Sequence, residues 1–342
     1  MKIRKQVLYS LMILILLVSL SFSCNNAPIF AAIEEEVKLK EQTVQGLISG
    51  LLRINDVVYS ANPKNVFKKT VGQRGKWAKV GTPGGMCTSL ATEGTTLYAS
   101  FMEQGIYSYN GSGWDFVMGS KNIVRVVSGS KIIGVDSDNR VFVLASSTFS
   151  QMKDTAGNDV KLSSTIYGAG NYFSDLTSVY SYNPTGVATK LSLSDVKNIR
   201  DLTQGDDTSK IFILTPQALF HYDGSSLTST KHKVLSPWSL SYSNTQKAVL
   251  IGGSQGYNEI KLKTPATLAD AYILSPGSSG STTPPSCFNQ YNNSVGKWLI
   301  RPILVIDYTD GYVIYVGVGG ANQKYTGLWG FYKPTQLEWN RE

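Results

Sequence analysis

The side chains able to do chemistry are few. The chain has 342 residues but only two histidines, His221 and His232, and three cysteines, Cys24, Cys87 and Cys287. A structural zinc site takes four Cys or His ligands at close spacing, so that class is excluded and no metal site is expected. His232 lies between Lys231 and Lys233, where a second positive charge disfavours the imidazolium that a Ser-His-Asp relay must form. His221 falls in an alternating strand pattern beside Tyr222, the setting of a packed side chain.

The carboxylates fall mainly in turns. Asp136-Ser137-Asp138-Asn139-Arg140 offers oxygens for calcium, but it lacks the sixth-position glycine and terminal glutamate of a calcium loop, so an ordinary turn is expected. Asp206-Asp207 and Asp307 with Asp310 lie between two apolar runs, where carboxylates cap their own backbone rather than pair for acid–base catalysis. No catalytic residue and no cofactor is therefore assigned. Cys87 and Cys287 are a candidate disulfide only if a loop spans the fold between them.

Stepping outward, a short pattern recurs along the chain: an apolar strand, a polar turn and a second apolar strand, usually with an aromatic. It occupies 47–61, 87–101, 123–136, 163–176, 199–214, 238–253 and 303–318. One equivalent position in each second strand gives Tyr59, Tyr98, Ile133, Phe173, Phe212, Leu250 and Ile314, at intervals of 39, 35, 40, 39, 38 and 64. The long last interval carries an insertion at 275–298, rich in Ser, Gly and Pro, whose removal restores the period. A third strand follows each hairpin, then a turn such as Asn110-Gly111-Ser112-Gly113 or Asp223-Gly224-Ser225, then a weaker fourth strand.

Four strands every 35 to 40 residues, seven times over, resemble an all-β, seven-bladed β-propeller of four-stranded blades over residues 44–342. Radial stacking buries both faces of blades that would be unstable alone. A single large β-sandwich is the competing architecture, but it lacks the four-strand superperiod. The strings at 105–116 and 219–226 look like blades of bacterial extracytoplasmic propellers. They lack the Trp-Asp blade closure and the kelch double glycine, and the stretch Ser108 to Trp114 is one residue short of a sialidase Asp-box. Trp77, Trp114 and Trp339, shared at the fourth strand, are read as packing residues.

The first residues read as an address. Lys2, Arg4 and Lys5 form a basic start, and residues 6–23 carry no charge, so 1–23 are expected to be a secretory signal. Leu20-Ser21-Phe22-Ser23-Cys24 resembles a bacterial lipobox in its relaxed spirochaetal form, with leucine four residues before the cysteine rather than three. That resemblance implies lipidation at Cys24, with 24–43 as a tether and 34–40 as a candidate ring-closing strand. Acyl chains bury methylenes at about 0.8 kcal/mol each, so several chains anchor stably. Localisation would then be the cell envelope, on the extracytoplasmic side.

Removing the leader takes the formal charge from +8 to +5, with 29 basic against 24 acidic residues, so nucleic acid is not an expected partner. In a propeller, the loops joining strands two and three share a face with those joining one blade to the next. Phe101, Met102, Tyr257 and Tyr325 are placed on that face, with Phe288, Tyr291 and Trp298 of the insertion, as the candidate binding surface. The expected function is a membrane-tethered, noncatalytic scaffold that binds an envelope protein or an extracellular ligand. The architecture resembles the propeller lipoprotein scaffold of outer-membrane assembly machinery, with no motif carried over. Two alternatives stand beside it: a carbohydrate-active or quinoprotein-like enzyme with a site in the central tunnel, and a polyanion or headgroup binder using the residual positive charge.

Overall fold

The structure is a computed structural model that describes residues 43–73, 77–254, 256–263, 267–273, 299–308, 311–319, 326–333 and 339–342. Thr43–Glu342 forms one compact unit. Its described residues hold strands and no helix, gathered into seven sheets in chain order. Each sheet is an antiparallel meander of four strands, and the seventh is made of Leu299–Tyr308, Gly311–Gly319, Gly327–Lys333 and Trp339–Arg341. The fourth sheet differs by one strand: Lys153–Asp154 lies parallel to Val187–Lys190 at its outer edge. The seven-bladed propeller expected from the superperiod is the fold.

Burial follows from position within a blade. Second strands lie between neighbouring blades on both faces, so Ala248–Gly253 and Ile211–Leu214 are buried at every residue. Such strands read as continuous apolar runs rather than alternating ones. Outer strands are wet, and Ala78–Lys79 is exposed throughout. The core is accordingly divided into interfaces, each drawn from two adjacent blades. One cluster joins Val58, Phe67 and Trp77 of the first blade to Ile306, Val313 and Tyr315 of the seventh. Another joins Phe212 and Leu214 to Val249 and Ile251.

Turn chemistry closes the hairpins as expected. Asn110 Oδ1 accepts from the amides of Ser112 and Gly113, and Asp223 Oδ1 accepts from those of Ser225 and Ser226. Near the axis, glycine has a second use. A Cβ on Gly50 would lie 2.6 Å from Leu90 Cγ of the next blade, and one on Gly168 would lie 2.5 Å from Val127 Cγ2 of the preceding blade. At these two positions a side chain would collide with the adjacent blade.

The ring closes without strand exchange among the described residues. Blade one is built from 50–79 and blade seven from 299–341. The join is made by Val44, whose N–H donates to Glu342 O and whose carbonyl accepts from Leu328 N–H, with Gln45 bridged to Gly327. Residues 34–40, the candidate closing strand, lie outside the described residues. At the same seam the ammonium of Lys69 is paired with the Glu342 carboxylate, side chains 2% and 3% exposed.

Candidate functional site in the central channel

The innermost strands of all seven blades surround one cavity of about 580 Å³. These strands are Gly50–Ile54, Cys87–Glu93, Ile123–Val127, Tyr167–Ala169, Asp201–Gln204, Pro237–Ser243 and Leu299–Tyr308. Six of them contribute residues from the half where they enter the ring or from their middle, whereas Ile123–Val127 contributes Arg125, Val126 and Val127. Its walls are apolar at Leu51, Leu90, Val127, Ile166 and Leu299, and polar at Thr88, Ser89, Arg125, Tyr167, Asp201, Trp238 and Arg301.

An innermost strand has a neighbour on one edge only, so its other edge must find partners for its amides. Side chains of the adjacent blade supply some of them. Ser89 Oγ accepts from Val126 N–H at 2.9 Å, Asp201 Oδ2 from Leu240 N–H at 2.7 Å, and Ser241 Oγ from Val305 N–H at 2.9 Å. This inter-blade ladder is invisible to a reading by alternation, because a serine within a strand looks solvent-facing. Its sequence signal is a hydroxyl or carboxylate recurring in first strands, as in Thr88-Ser89-Leu90 and Ser239-Leu240-Ser241.

Electrostatically the channel is short of negative charge. Arg125 and Arg301 line it, and the guanidinium groups of Arg200 and Arg301 each lie 5.5 Å from the centre of the Trp238 ring. Burial lowers the basicity of Arg125, and repulsion from Arg301 adds to the effect. The facing carboxylate, Asp201, is pushed up to about 6 by burial, against the opposing pull of the Leu240 and Leu202 amides and of Arg125 and Arg301. One carboxylate held by two backbone amides is not the carboxylate pair that glycoside hydrolysis uses.

The other residues singled out by sequence fall as follows. His221 is buried and stacked on Phe212, ring centres 4.7 Å apart, and burial lowers its pKa. His232 Nε2 is 2.9 Å from Thr215 O. Asp136 accepts from the amides of Asp138 and Arg140 and pairs with Arg140 Nε at 2.7 Å, which is the turn expected there. Asp207 caps Ser209 N–H, and Asp307 accepts from Ser243 Oγ. Cys87 is buried and its thiol is pushed up to about 12 by desolvation, while Cys24 and Cys287 lie outside the described residues.

The candidate binding surface needs correction. Phe101 is 0% exposed and packs edge-on to Trp114 and Tyr107 at 5.3 and 5.8 Å. Tyr257 is 3% exposed and packs edge-on to Trp339 at 6.0 Å. Both still belong to their strands, Thr96–Phe101 and Gly256–Lys263, and the strand alternation turns them into blade interfaces. Met102 is exposed as expected. Phe288, Tyr291, Trp298 and Tyr325 lie outside the described residues. Besides Met102, the same face exposes Leu47, Met86, Met118 and Leu235 on blade-entry loops, these five side chains being 46% to 64% exposed.

A seven-bladed ring of antiparallel sheets around a central cavity defines a β-propeller. The chain belongs to the TP013X lipoprotein family, whose model matches residues 2–342. It is similar to a lipoprotein of Treponema pallidum (strain Nichols) at 28% identity, covering 96% of this chain and 98% of that one. A second lipoprotein of the same organism matches at 28% identity over 94% of this chain and 93% of its own length. Among solved structures, the WD40 β-propeller domain of Doa1 superposes with a TM-score of 0.53 at 10% identity, covering 83% of this chain and 96% of that one, a likeness of fold alone.

Proposed function

We propose that this lipoprotein is a noncatalytic scaffold, anchored through a lipid on Cys24 to the extracytoplasmic side of an envelope membrane, whose blade-entry face docks an envelope protein. The observation that carries the reading is the set of exposed apolar side chains on that one face, among them Met86, Met102 and Met118. Met86 and Met102 are direct neighbours, with Met102 N–H donating to Met86 O at 2.9 Å. Up-and-down strand order puts Met118 on the same side, on the next blade-entry loop. Methionine is an adaptable contact residue, and large apolar side chains gathered on a rigid rim favour association with protein. A lipid tether at the membrane makes a neighbouring envelope protein the partner within reach.

Crosslinking and affinity purification of the lipidated chain from its native membrane test this. One stoichiometric envelope partner should be recovered with the wild type and lost with the triple substitution Met86→Gln, Met102→Gln, Met118→Gln at an unchanged melting temperature. A partner retained at full yield by the triple variant, or no partner with the wild type, defeats the docking face. Mass spectrometry of the mature N-terminus tests the anchor separately, and an unmodified Cys24 would remove it.

A further inference from the structure

The channel gathers polar groups that the fold leaves without partners. Arg125 Nε, Trp238 Nε1 and Ser239 Oγ are buried, make no hydrogen bond among the described residues, and all three belong to residues lining the one cavity. The first two can only donate, and the hydroxyl can donate. The charges agree with the donors. Arg125 and Arg301 line the cavity with Arg200 beside them on Trp238, against the single carboxylate of Asp201, whose two oxygens already accept from Leu202 and Leu240 amides. A ligand rich in acceptors and negative charge is the chemical complement of this set.

We propose that the central channel binds a small organic oxyanion, whose carboxylate or phosphate oxygens are held by the guanidinium groups of Arg125 and Arg301, the latter set against the Trp238 ring. The planar guanidinium matches such oxygens in a bidentate manner, and stacking on Trp238 limits the orientations open to Arg301. The apolar wall of Leu51, Leu90, Val127, Ile166 and Leu299 strengthens each charge interaction and accommodates a carbon frame. The volume of about 580 Å³ suits a small molecule rather than a folded domain. This site shares Leu47 with the docking face, but its ligand and its test are independent of that reading.

The test is calorimetric titration of the full-length chain in neutral detergent with citrate, inorganic phosphate and glucose 6-phosphate, with sucrose as the uncharged control. At least one oxyanion should bind one to one and saturably, and its affinity should fall as salt rises. Arg301→Gln, at an exposed position of the channel, should weaken it by about tenfold or more. Citrate against phosphate distinguishes a carboxylate ligand from a phosphate one. Absence of saturable binding by all three up to roughly 10 mM, far above ordinary ligand affinities, overturns the proposal. So does equal binding by an Arg301→Gln chain of native melting temperature. Should that variant fail to fold, Arg301→Lys is read by the same criterion, because it keeps the charge and loses the bidentate fork.

Discussion

The seam between blades one and seven gives a quantitative test of how this ring is held shut. Lys69, on the third strand of blade one, places its ammonium against Glu342 at the end of blade seven. Three rings surround it, with Trp77, Tyr315 and Tyr332 centred 4.9, 5.2 and 5.4 Å from Nζ. The carboxylate also accepts from Trp77 Nε1 at 2.8 Å and Tyr332 OH at 2.7 Å. Lys69→Met therefore leaves a buried carboxylate with two neutral donors, and Glu342→Gln leaves a buried ammonium against aromatic faces. Removing one member of a buried pair costs about 3–5 kcal/mol, whereas replacing both by neutral groups of similar volume is often close to neutral.

Each single variant should thus lose about 3–5 kcal/mol, and the double variant Lys69→Met, Glu342→Gln should lose less than either. At this chain length 1 kcal/mol corresponds to about 2 °C, so the single variants should melt roughly 6–10 °C below wild type. Urea unfolding followed by tryptophan fluorescence, with scanning calorimetry, measures the cycle. The losses should persist in about 0.5 M salt, because screening acts weakly on buried charges. Single-variant losses below about 1 kcal/mol, or a double variant equal to the sum of the singles, would refute the argument that this pair closes the ring.

Two other groups yield independent expectations. Asp201 ionises near 6 when folded against an ordinary value of 3.8, so the folded state holds the proton more tightly. Its contribution to stability is greatest below about pH 4 and is lost as pH rises through about 6; Asp201→Asn should remove this downward slope, seen as the wild-type-minus-variant difference in urea unfolding at pH 4 and pH 7. A slope of the same sign and size in the variant would show that another group carries it. Cys87, its thiol pushed up to about 12 inside the blade one–blade two core, should resist iodoacetamide at pH 8 in the native chain and react on denaturation, as read by peptide mass mapping. Native labelling within minutes would mean that this interface opens.

The parts of this fold that were legible in sequence are the ones governed by local rules. Asn110, Asn183 and Asp223 close turns through their own backbone neighbours, and the apolar runs around Ile133, Phe212 and Leu250 are second strands buried on both sides. Phe101 and Tyr257 leave the loop face because both are still paired in strands, at the end of Thr96–Phe101 and near the start of Gly256–Lys263, where their side chains are buried against neighbouring aromatic rings. The channel was illegible for another reason. Arg125 and Arg301 are 176 residues apart in sequence, and each taken alone is an ordinary charged residue in a strand. Only closure of seven blades brings them to one axis.

That geometry also separates what the fold requires from what it merely permits. At the axis, folding needs side chains that satisfy the free edge of the next inner strand, and Ser89, Asp201 and Ser241 do so with oxygens on short stems. Arg125 does the opposite: it buries a long cation beside a second one, Arg301, and leaves its Nε without a partner. Judged by stability alone, an uncompensated buried donor is a loss that an apolar residue of similar volume would avoid. A departure from the local rules without a folding benefit is where a binding role is expected. The blade interfaces carry the stability of this lipoprotein, so the channel can hold such a cluster without the ring coming apart.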